Sequence, residues 1–178
     1  MLVIHANDPT TEVLSRLYES REDFLLRLDE HSSNTAVVRA VKDADRIMML
    51  GHGNSFGLFS TPDKKGQYRR LLVDSGHVQF LRGKLCIGIW CYANEFAKQY
   101  KLQGLFSGMI ISELHEAEEN NIPTSQEEVA TEMEKFVIRL RWCIETGRLQ
   151  DVPERMLELD DMHSPLTEFN YKNLYFYV

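Results

Sequence analysis

A histidine and a cysteine each follow a run of mostly apolar residues, and this pair could carry nucleophilic chemistry. His52 follows "RIMMLG", and Cys91 follows "LCIGIW" further along the chain. A cysteine beside an imidazole can be held as a thiolate, which is the effective nucleophile of such sites. The imidazole can then give a proton to a leaving amine, because its unperturbed pKa lies near neutrality. The pair therefore predicts cysteine-dependent acyl transfer, provided that the fold brings the two side chains together.

Both residues are expected at the carboxyl ends of buried parallel strands. The apolar residues "IMML" before Gly51 are typical of a strand that is buried on both faces. Gly51 and Gly53 then release the chain from β geometry, because glycine tolerates backbone angles that other residues avoid. Open α/β sheets place their sites at this edge. If the two strands are neighbours, a spacing of about 4.8 Å would bring His52 and Cys91 close together.

The rest of the chain alternates between strand and helix patterns. Strands are predicted at "MLVIHA", "RIMML", "YRRLLV", "KLCIGIWC", "GLFSGMIIS" and "NLYFYV". Helices are predicted over residues 10–31 with a break near Ser20, over 33–45, 74–83 and 92–100, from about Glu113, and over 124–147. Residues 51–67 are expected to form a long loop or a hairpin. This alternation predicts one α/β domain over residues 1–178, a three-layer αβα sandwich with a mainly parallel central sheet.

The order and strand context of the two residues resemble those of a known family. "RIMMLGHG", followed later by "LCIGIWCYANEFAKQYKLQGLFSGM", is similar to the caspase-like cysteine peptidases. That group includes caspases, gingipains, clostripain, legumain, separase and the bacterial CHAT domains. In these proteins an apolar strand ends in His-Gly and a later strand ends in the nucleophilic cysteine. The resemblance covers residues from about 45 to 112, and more loosely the first strand and helix.

The resemblance implies a caspase-like sheet and a role for three residues. His52 would match the catalytic histidine, and Cys91 would match the nucleophile. Gly53 would match the glycine whose backbone N–H joins that of Cys91 in an oxyanion hole, and glycine also lets the backbone approach a substrate closely. The implied partner is a peptide or protein substrate, and this chemistry needs no cofactor.

Two alternatives stay open at this point. One is a catalytically inactive relative that serves as an interaction module, which the bulky neighbours Trp90 and Tyr92 keep open, since fold does not guarantee activity. The glycines at positions 51, 53 and 57 could instead form a phosphate or nucleotide cradle, although the Gly-x-Gly-x-x-Gly spacing and a Walker lysine are lacking. A metal site is not expected, because the chain has no Cys-x-x-Cys or His-x-x-x-His pair.

Composition narrows the partners and the compartment. The formal charge of -7 and the lack of a basic cluster argue against nucleic acid and anionic membranes as main partners. The opening "MLVIHAND" lacks a signal-peptide pattern, and no apolar run approaches the length of a membrane span. Three widely spaced cysteines favour free thiols in a reducing cytoplasm. An exposed aromatic tail would favour pairing between copies of the chain, which leaves a homo-oligomer open.

Overall fold

The computed structural model describes residues 1–19, 26–29 and 31–178. Its strands, numbered along the chain, are β1 (Leu2–His5), β2 (Leu26–Leu28), β3 (Arg46–Leu50), β4 (Gly53–Asn54), β5 (Gly57–Phe59), β6 (Leu71–Val73), β7 (Leu85–Ile89), β8 (Gln103–Ser107) and β9 (Leu174–Tyr177). Among these residues, the main sheet has six strands in the order β2–β1–β3–β7–β8–β9. All neighbours pair in parallel except β8 and β9, which are antiparallel. The short strands β4, β5 and β6 form a separate antiparallel sheet.

The helices cover both faces of the main sheet. They are α1 (Asn34–Asp43), α2 (Val78–Leu81), α3 (Ala93–Tyr100), α4 (Leu114–Glu119), α5 (Gln126–Thr146), α6 (Val152–Glu158) and α7 (Pro165–Lys172). Segments of 3-10 helix span Pro9–Leu17, Ser75–His77 and Leu149–Asp151. Several helices begin at residues suited to capping: Ser33 accepts a hydrogen bond from the Ala36 N–H in α1, and Ser125 accepts one from the Glu128 N–H in α5.

Alternate residues of the central strands point into two separate hydrophobic cores. In β3, Ile47 and Met49 pack with α1, α2 and α3, whereas Met48 and Leu50 pack with α5, α6, α7 and the first 3-10 helix. This alternation follows from the period of two in a β-strand. The predicted α/β class and the three-layer arrangement with a mainly parallel sheet are confirmed, and so is the burial of β3 on both faces.

The predicted helix over residues 10–31 is wrong at residues 26–28. The structure has a 3-10 helix over Pro9–Leu17, and residues 26–28 form strand β2, which pairs in parallel with β1. The apolar residues of "FLLRL" fit both the helical period and the strand period, because the segment is so short. Pairing with the edge of β1 favours the strand. The expected break at Ser20 and the apolar positions Phe24 and Leu25 lie outside the described residues.

The strand predicted at "GLFSGMIIS" is shorter than expected, because β8 ends at Ser107. Beyond it, the Gly108 N–H donates to the Asn173 carbonyl at 2.8 Å, and the chain turns away from β7 as a loop. The predicted final strand is present as β9, and the loop or hairpin predicted over residues 51–67 begins with the β4–β5 hairpin. In the part of the chain that the structure describes, no helix combines the length and the apolar character needed to cross a bilayer.

Candidate active site

The register of β3 and β7 places His52 and Cys91 at the same level of the sheet. Leu50 of β3 pairs with Ile89 of β7 at the ends of these strands. His52 lies two residues after Leu50, and Cys91 lies two residues after Ile89. The Gly51 N–H still donates to the Ile89 carbonyl at 3.2 Å, so the ladder persists for one more residue. Gly51 has a φ of 141°, which an L side chain rarely adopts, and it turns the chain toward the β4–β5 hairpin.

Cys91 lies between the end of β7 and the start of α3. The Ser107 hydroxyl, at the end of β8, accepts from the Trp90 N–H at 3.0 Å and donates to the Trp90 carbonyl at 2.8 Å. Tyr92 then takes a left-handed conformation, with a φ of 67°, and its N–H donates to the Gly108 carbonyl. These bonds fix the backbone on both sides of Cys91.

His52 and Cys91 line one cleft at the carboxyl edge of the sheet. The cleft has a cavity volume of about 30 Å³, which is room for one or two water molecules. Its other lining residues are Thr10, Thr11, Val13, Leu14, Gly51, Ile89, Trp90, Ile110, Ser112 and Met133. The cleft is continuous with an open groove of about 370 Å³ between the first 3-10 helix and α5, because Thr10, Val13, Ser112 and Met133 line both.

The thiol of Cys91 is turned toward the protein. Its Sγ donates to the Ile110 carbonyl at 3.7 Å, and within the described residues no hydrogen bond joins it to His52. Burial raises the pKa of the Cys91 thiol to about 11, and the nearby negative charge of Glu116 acts in the same direction. At neutral pH the Cys91 thiol is therefore mostly protonated. Attack by this sulfur therefore requires a base at the moment of reaction.

The imidazole of His52 belongs to a polar network that the sequence analysis missed. Its Nε2 lies 2.8 Å from the Thr10 hydroxyl, and that hydroxyl donates to Asp8 at 2.8 Å. The other Asp8 carboxylate oxygen accepts from the Tyr68 hydroxyl at 2.9 Å, and the Tyr68 ring lies 5.5 Å from the His52 ring. In the sequence, "NDP" indicates only a turn after the first strand. In the structure Asp8 caps the first 3-10 helix by accepting from the Thr10 N–H at 3.1 Å.

Gly53 lies on the hairpin directly after His52. The Phe59 N–H donates to the His52 carbonyl at 2.8 Å, so the alternation of an antiparallel ladder makes Gly53 and Leu58 a pair without mutual hydrogen bonds. The Gly53 N–H therefore points away from β5. A Cβ at Gly53 would lie 2.2 Å from Cδ1 of Trp90, which is a packing reason for glycine at this position.

Of the two bulky neighbours of Cys91, Trp90 is buried and Tyr92 is exposed. Trp90 is buried in the core against Phe96, and its indole N–H donates to the Asn54 carbonyl at 3.1 Å. Tyr92 is exposed to solvent at the start of α3. Trp90 also lines the cleft, so its ring forms part of the wall next to Cys91.

The other glycines of this region also have packing roles. A Cβ at Gly57 would lie 2.0 Å from the Val73 carbonyl oxygen of β6, so glycine permits the close approach of β5 and β6. Gly53 and Gly57 therefore have packing reasons, and Gly51 has the conformational reason of its positive φ. Among the described side chains, no group of three or more His, Cys, Asp or Glu residues is placed to hold a metal ion.

A second histidine near the site, His5, is buried and hydrogen-bonded within the protein. His5, at the end of β1, is fully buried, and its ring nitrogens lie 2.9 Å from the Tyr18 hydroxyl and 3.3 Å from the Thr11 hydroxyl. Thr11 lines the cleft and separates His5 from it. Comparison with known proteins adds no functional information, since no family model and no curated protein matches the chain.

Proposed function

We propose that the protein is a cysteine peptidase-like hydrolase, in which Cys91 is the nucleophile and His52 the acid and base. The observation that carries this proposal is the single cleft that both side chains line at the carboxyl edge of the sheet. The polar anchoring of His52 and the outward N–H of Gly53 support it further. The resemblance of the two strand ends to those of caspase-like peptidases points to the same chemistry.

The proposed reaction is hydrolysis of an amide bond through a thioester. The Cys91 thiol proton passes to the His52 imidazole as the sulfur attacks the carbonyl carbon, and the N–H groups of Gly53 and Cys91 bind the oxyanion. The carbon–nitrogen bond then breaks as the imidazolium protonates the leaving amine. Water hydrolyses the thioester with His52 as the base, which releases the acid and restores the thiol.

The substrate proposed for this site is a peptide or protein that lies in the groove between the first 3-10 helix and α5. This groove is wide, whereas the inner cleft is narrow. The groove can therefore hold the substrate chain on one side of the scissile bond. We also propose a cytoplasmic location, because Cys86, Cys91 and Cys143 are free thiols that a reducing compartment would preserve.

The proposal is tested with a panel of peptidyl acyloxymethyl ketones and matching fluorogenic peptides that vary the residue before the scissile bond. We expect at least one probe to label Cys91 covalently, as identified by mass spectrometry. Labelling should be lost in Cys91→Ala and reduced about a hundredfold or more in His52→Ala, because the thiol then lacks its base. Cys143→Ala, which alters a buried thiol on α5, is the matched control and should label normally. Absence of labelling and hydrolysis across the panel would overturn the proposal.

A second candidate is a catalytically inactive caspase-like domain that binds other proteins. The protonated, hydrogen-bonded thiol of Cys91 and the small volume of the inner cleft favour it. This candidate predicts that no probe reacts at Cys91 and that Cys91→Ala leaves the binding of a protein partner unchanged. Labelling that depends on His52 would exclude it.

A further inference from the structure

The hydroxyl of Thr10 lies between the imidazole of His52 and the carboxylate of Asp8. It is 2.8 Å from His52 Nε2 on one side and 2.8 Å from Asp8 Oδ1 on the other. A hydroxyl has one proton to donate and two lone pairs that accept. The direction of these two hydrogen bonds therefore depends on which of the two groups accepts the hydroxyl proton.

The carboxylate of Asp8 can only accept hydrogen bonds. Burial alone would raise the pKa of Asp8, but the hydrogen bonds from the Thr10 hydroxyl and N–H and from the Tyr68 hydroxyl, with the charge of His52, outweigh burial and lower it. Burial and the neighbouring Asp8 raise the pKa of Tyr68, so the phenol keeps its proton and donates it to Asp8 Oδ2. Asp8 is ionised at neutral pH and takes the Thr10 hydroxyl proton.

This assignment fixes the proton on the imidazole. Since the Thr10 hydroxyl donates to Asp8, its oxygen has only lone pairs left for His52, and His52 must be the donor at Nε2. In the neutral ring the lone pair then lies on Nδ1. Of the residues that the structure describes, none forms a hydrogen bond with Nδ1 of His52, so this nitrogen is available to accept a proton.

We propose that Asp8 and Thr10 are positioning residues that hold His52 in the tautomer protonated at Nε2, with Nδ1 as the base. The inference rests on the proposed role of His52 and Cys91, and it adds which ring nitrogen takes the Cys91 proton. Tyr68 supports the arrangement by holding the second oxygen of Asp8.

The tautomer is measured directly by nitrogen-15 NMR of the imidazole in the full chain, at a pH where His52 is neutral. We expect the wild-type protein to carry the proton on Nε2. Thr10→Ser keeps the hydroxyl and should keep this tautomer, whereas Thr10→Val removes the acceptor and should give a mixture. In Asp8→Ala the Thr10 hydroxyl loses its carboxylate acceptor, so its proton can turn toward Nε2 and the ring should show a mixture of the two tautomers.

Kinetics supply the second readout, with the best fluorogenic substrate of the panel. Loss of the correct tautomer should lower kcat by about a hundredfold in Thr10→Val and Asp8→Ala, because orientation acts on the chemical step. KM is compared in Asp8→Ala, where it should change little, since Thr10 itself lines the proposed substrate groove. A wild-type ring protonated on Nδ1, or an unchanged tautomer in either Thr10→Val or Asp8→Ala, would overturn the positioning role. If the wild-type protein hydrolyses no substrate, the NMR result still decides the positioning role, and only the proposed peptidase function fails.

Discussion

At the residue scale, the two candidate catalytic side chains occupy equivalent positions on neighbouring strands but have different surroundings. Cys91 is partly buried, and its thiol donates to the backbone carbonyl of Ile110. His52 is partly exposed and contacts the Thr10 hydroxyl and the Tyr68 ring. The thiol is therefore held neutral, whereas the imidazole has polar partners on one side. A proton transfer between them depends on a substrate or a small movement that brings the sulfur to the ring.

The environment of Cys91 makes its reactivity with iodoacetamide strongly dependent on pH. Because the thiolate is the reactive form and the pKa of Cys91 is raised to about 11, we expect alkylation to quicken by about tenfold per pH unit from pH 7 and to level off only near pH 11. The rate is measured by mass spectrometry of the peptide that contains Cys91, in the presence of a reductant.

Cys86 is the internal control for this experiment. It is fully buried, and burial raises its pKa to about 12, so it should react more slowly than Cys91 in the folded protein. A rate for Cys91 that is already constant between pH 6 and 8 would contradict the neutral thiol and would indicate an ion pair with His52 instead.

The sequence predicted only part of this site, for a physical reason. His52 and Cys91 follow buried strands, and the parallel register of those strands places them together. Asp8, Thr10 and Tyr68 have no such signal, because their contacts depend on how irregular segments fold back over the sheet. Thr10 is 42 residues from His52 in the chain, and Tyr68 is 60 residues from Asp8. Loop conformations of this kind leave no periodic pattern in the sequence.

At the element scale, the loop of residues 108–113 connects the site to the helices behind it. The Asn170 side chain of α7 accepts from the Ile111 N–H at 2.8 Å and donates to the Ile111 carbonyl at 2.9 Å. Glu116 of α4 accepts from the Ser112 N–H and hydroxyl and from the Glu113 N–H. Because Ile110 and Ser112 line the cleft, these bonds hold one wall of the site in place.

Removal of the Asn170 side chain should destabilise the protein and loosen this wall. In Asn170→Ala the buried N–H and carbonyl of Ile111 lose their partners, which should cost roughly 2–4 kcal/mol in the free energy of unfolding. Urea denaturation measures the loss. Asn120→Ala, which removes one bond at an exposed helix end, is the matched control and should cost less than about 1 kcal/mol. Equal losses of unfolding free energy in Asn170→Ala and Asn120→Ala would contradict the role of Asn170 in holding this loop.

The elements themselves were predicted to different degrees. Helices α1 and α5 have capping serines and apolar residues at helical spacing, and both are confirmed. Strand β2 was missed because three residues carry too little periodicity to separate a strand from a helix. Strand β8 was predicted too long, since the apolar "MII" that follows Gly108 packs as a loop whose Ile111 is fixed by Asn170 rather than by a neighbouring strand.

At the scale of the whole molecule, the two larger hydrophobic cores of the described residues lie on opposite faces of the main sheet. Phe96 of α3 is fully buried in the first core, and Phe136 of α5 is fully buried in the second. Each inner strand contributes residues to both cores, so neither core can be lost while the sheet stays intact. The two faces should therefore unfold together, as one domain over residues 1–178.

Truncation on either face tests this cooperativity. Phe96→Ala and Phe136→Ala should each lower the free energy of unfolding by about 3–5 kcal/mol, because each leaves a cavity in a packed core. Urea transitions followed by near- and far-UV circular dichroism should remain single and coincident in both variants. Separate transitions for the two probes in either variant would show that the faces unfold independently.

The buried indole of Trp90 gives the molecule an intrinsic optical reporter of events around its candidate nucleophile. Its ring rests on Gly53 and donates to Asn54, so any shift of the hairpin alters the surroundings of a chromophore next in sequence to Cys91. The other tryptophan, Trp142, is half exposed on α5 and is within reach of a dissolved quencher. Emission that survives iodide therefore comes from Trp90, and unmodified protein can report ligand binding at this edge of the sheet through fluorescence alone.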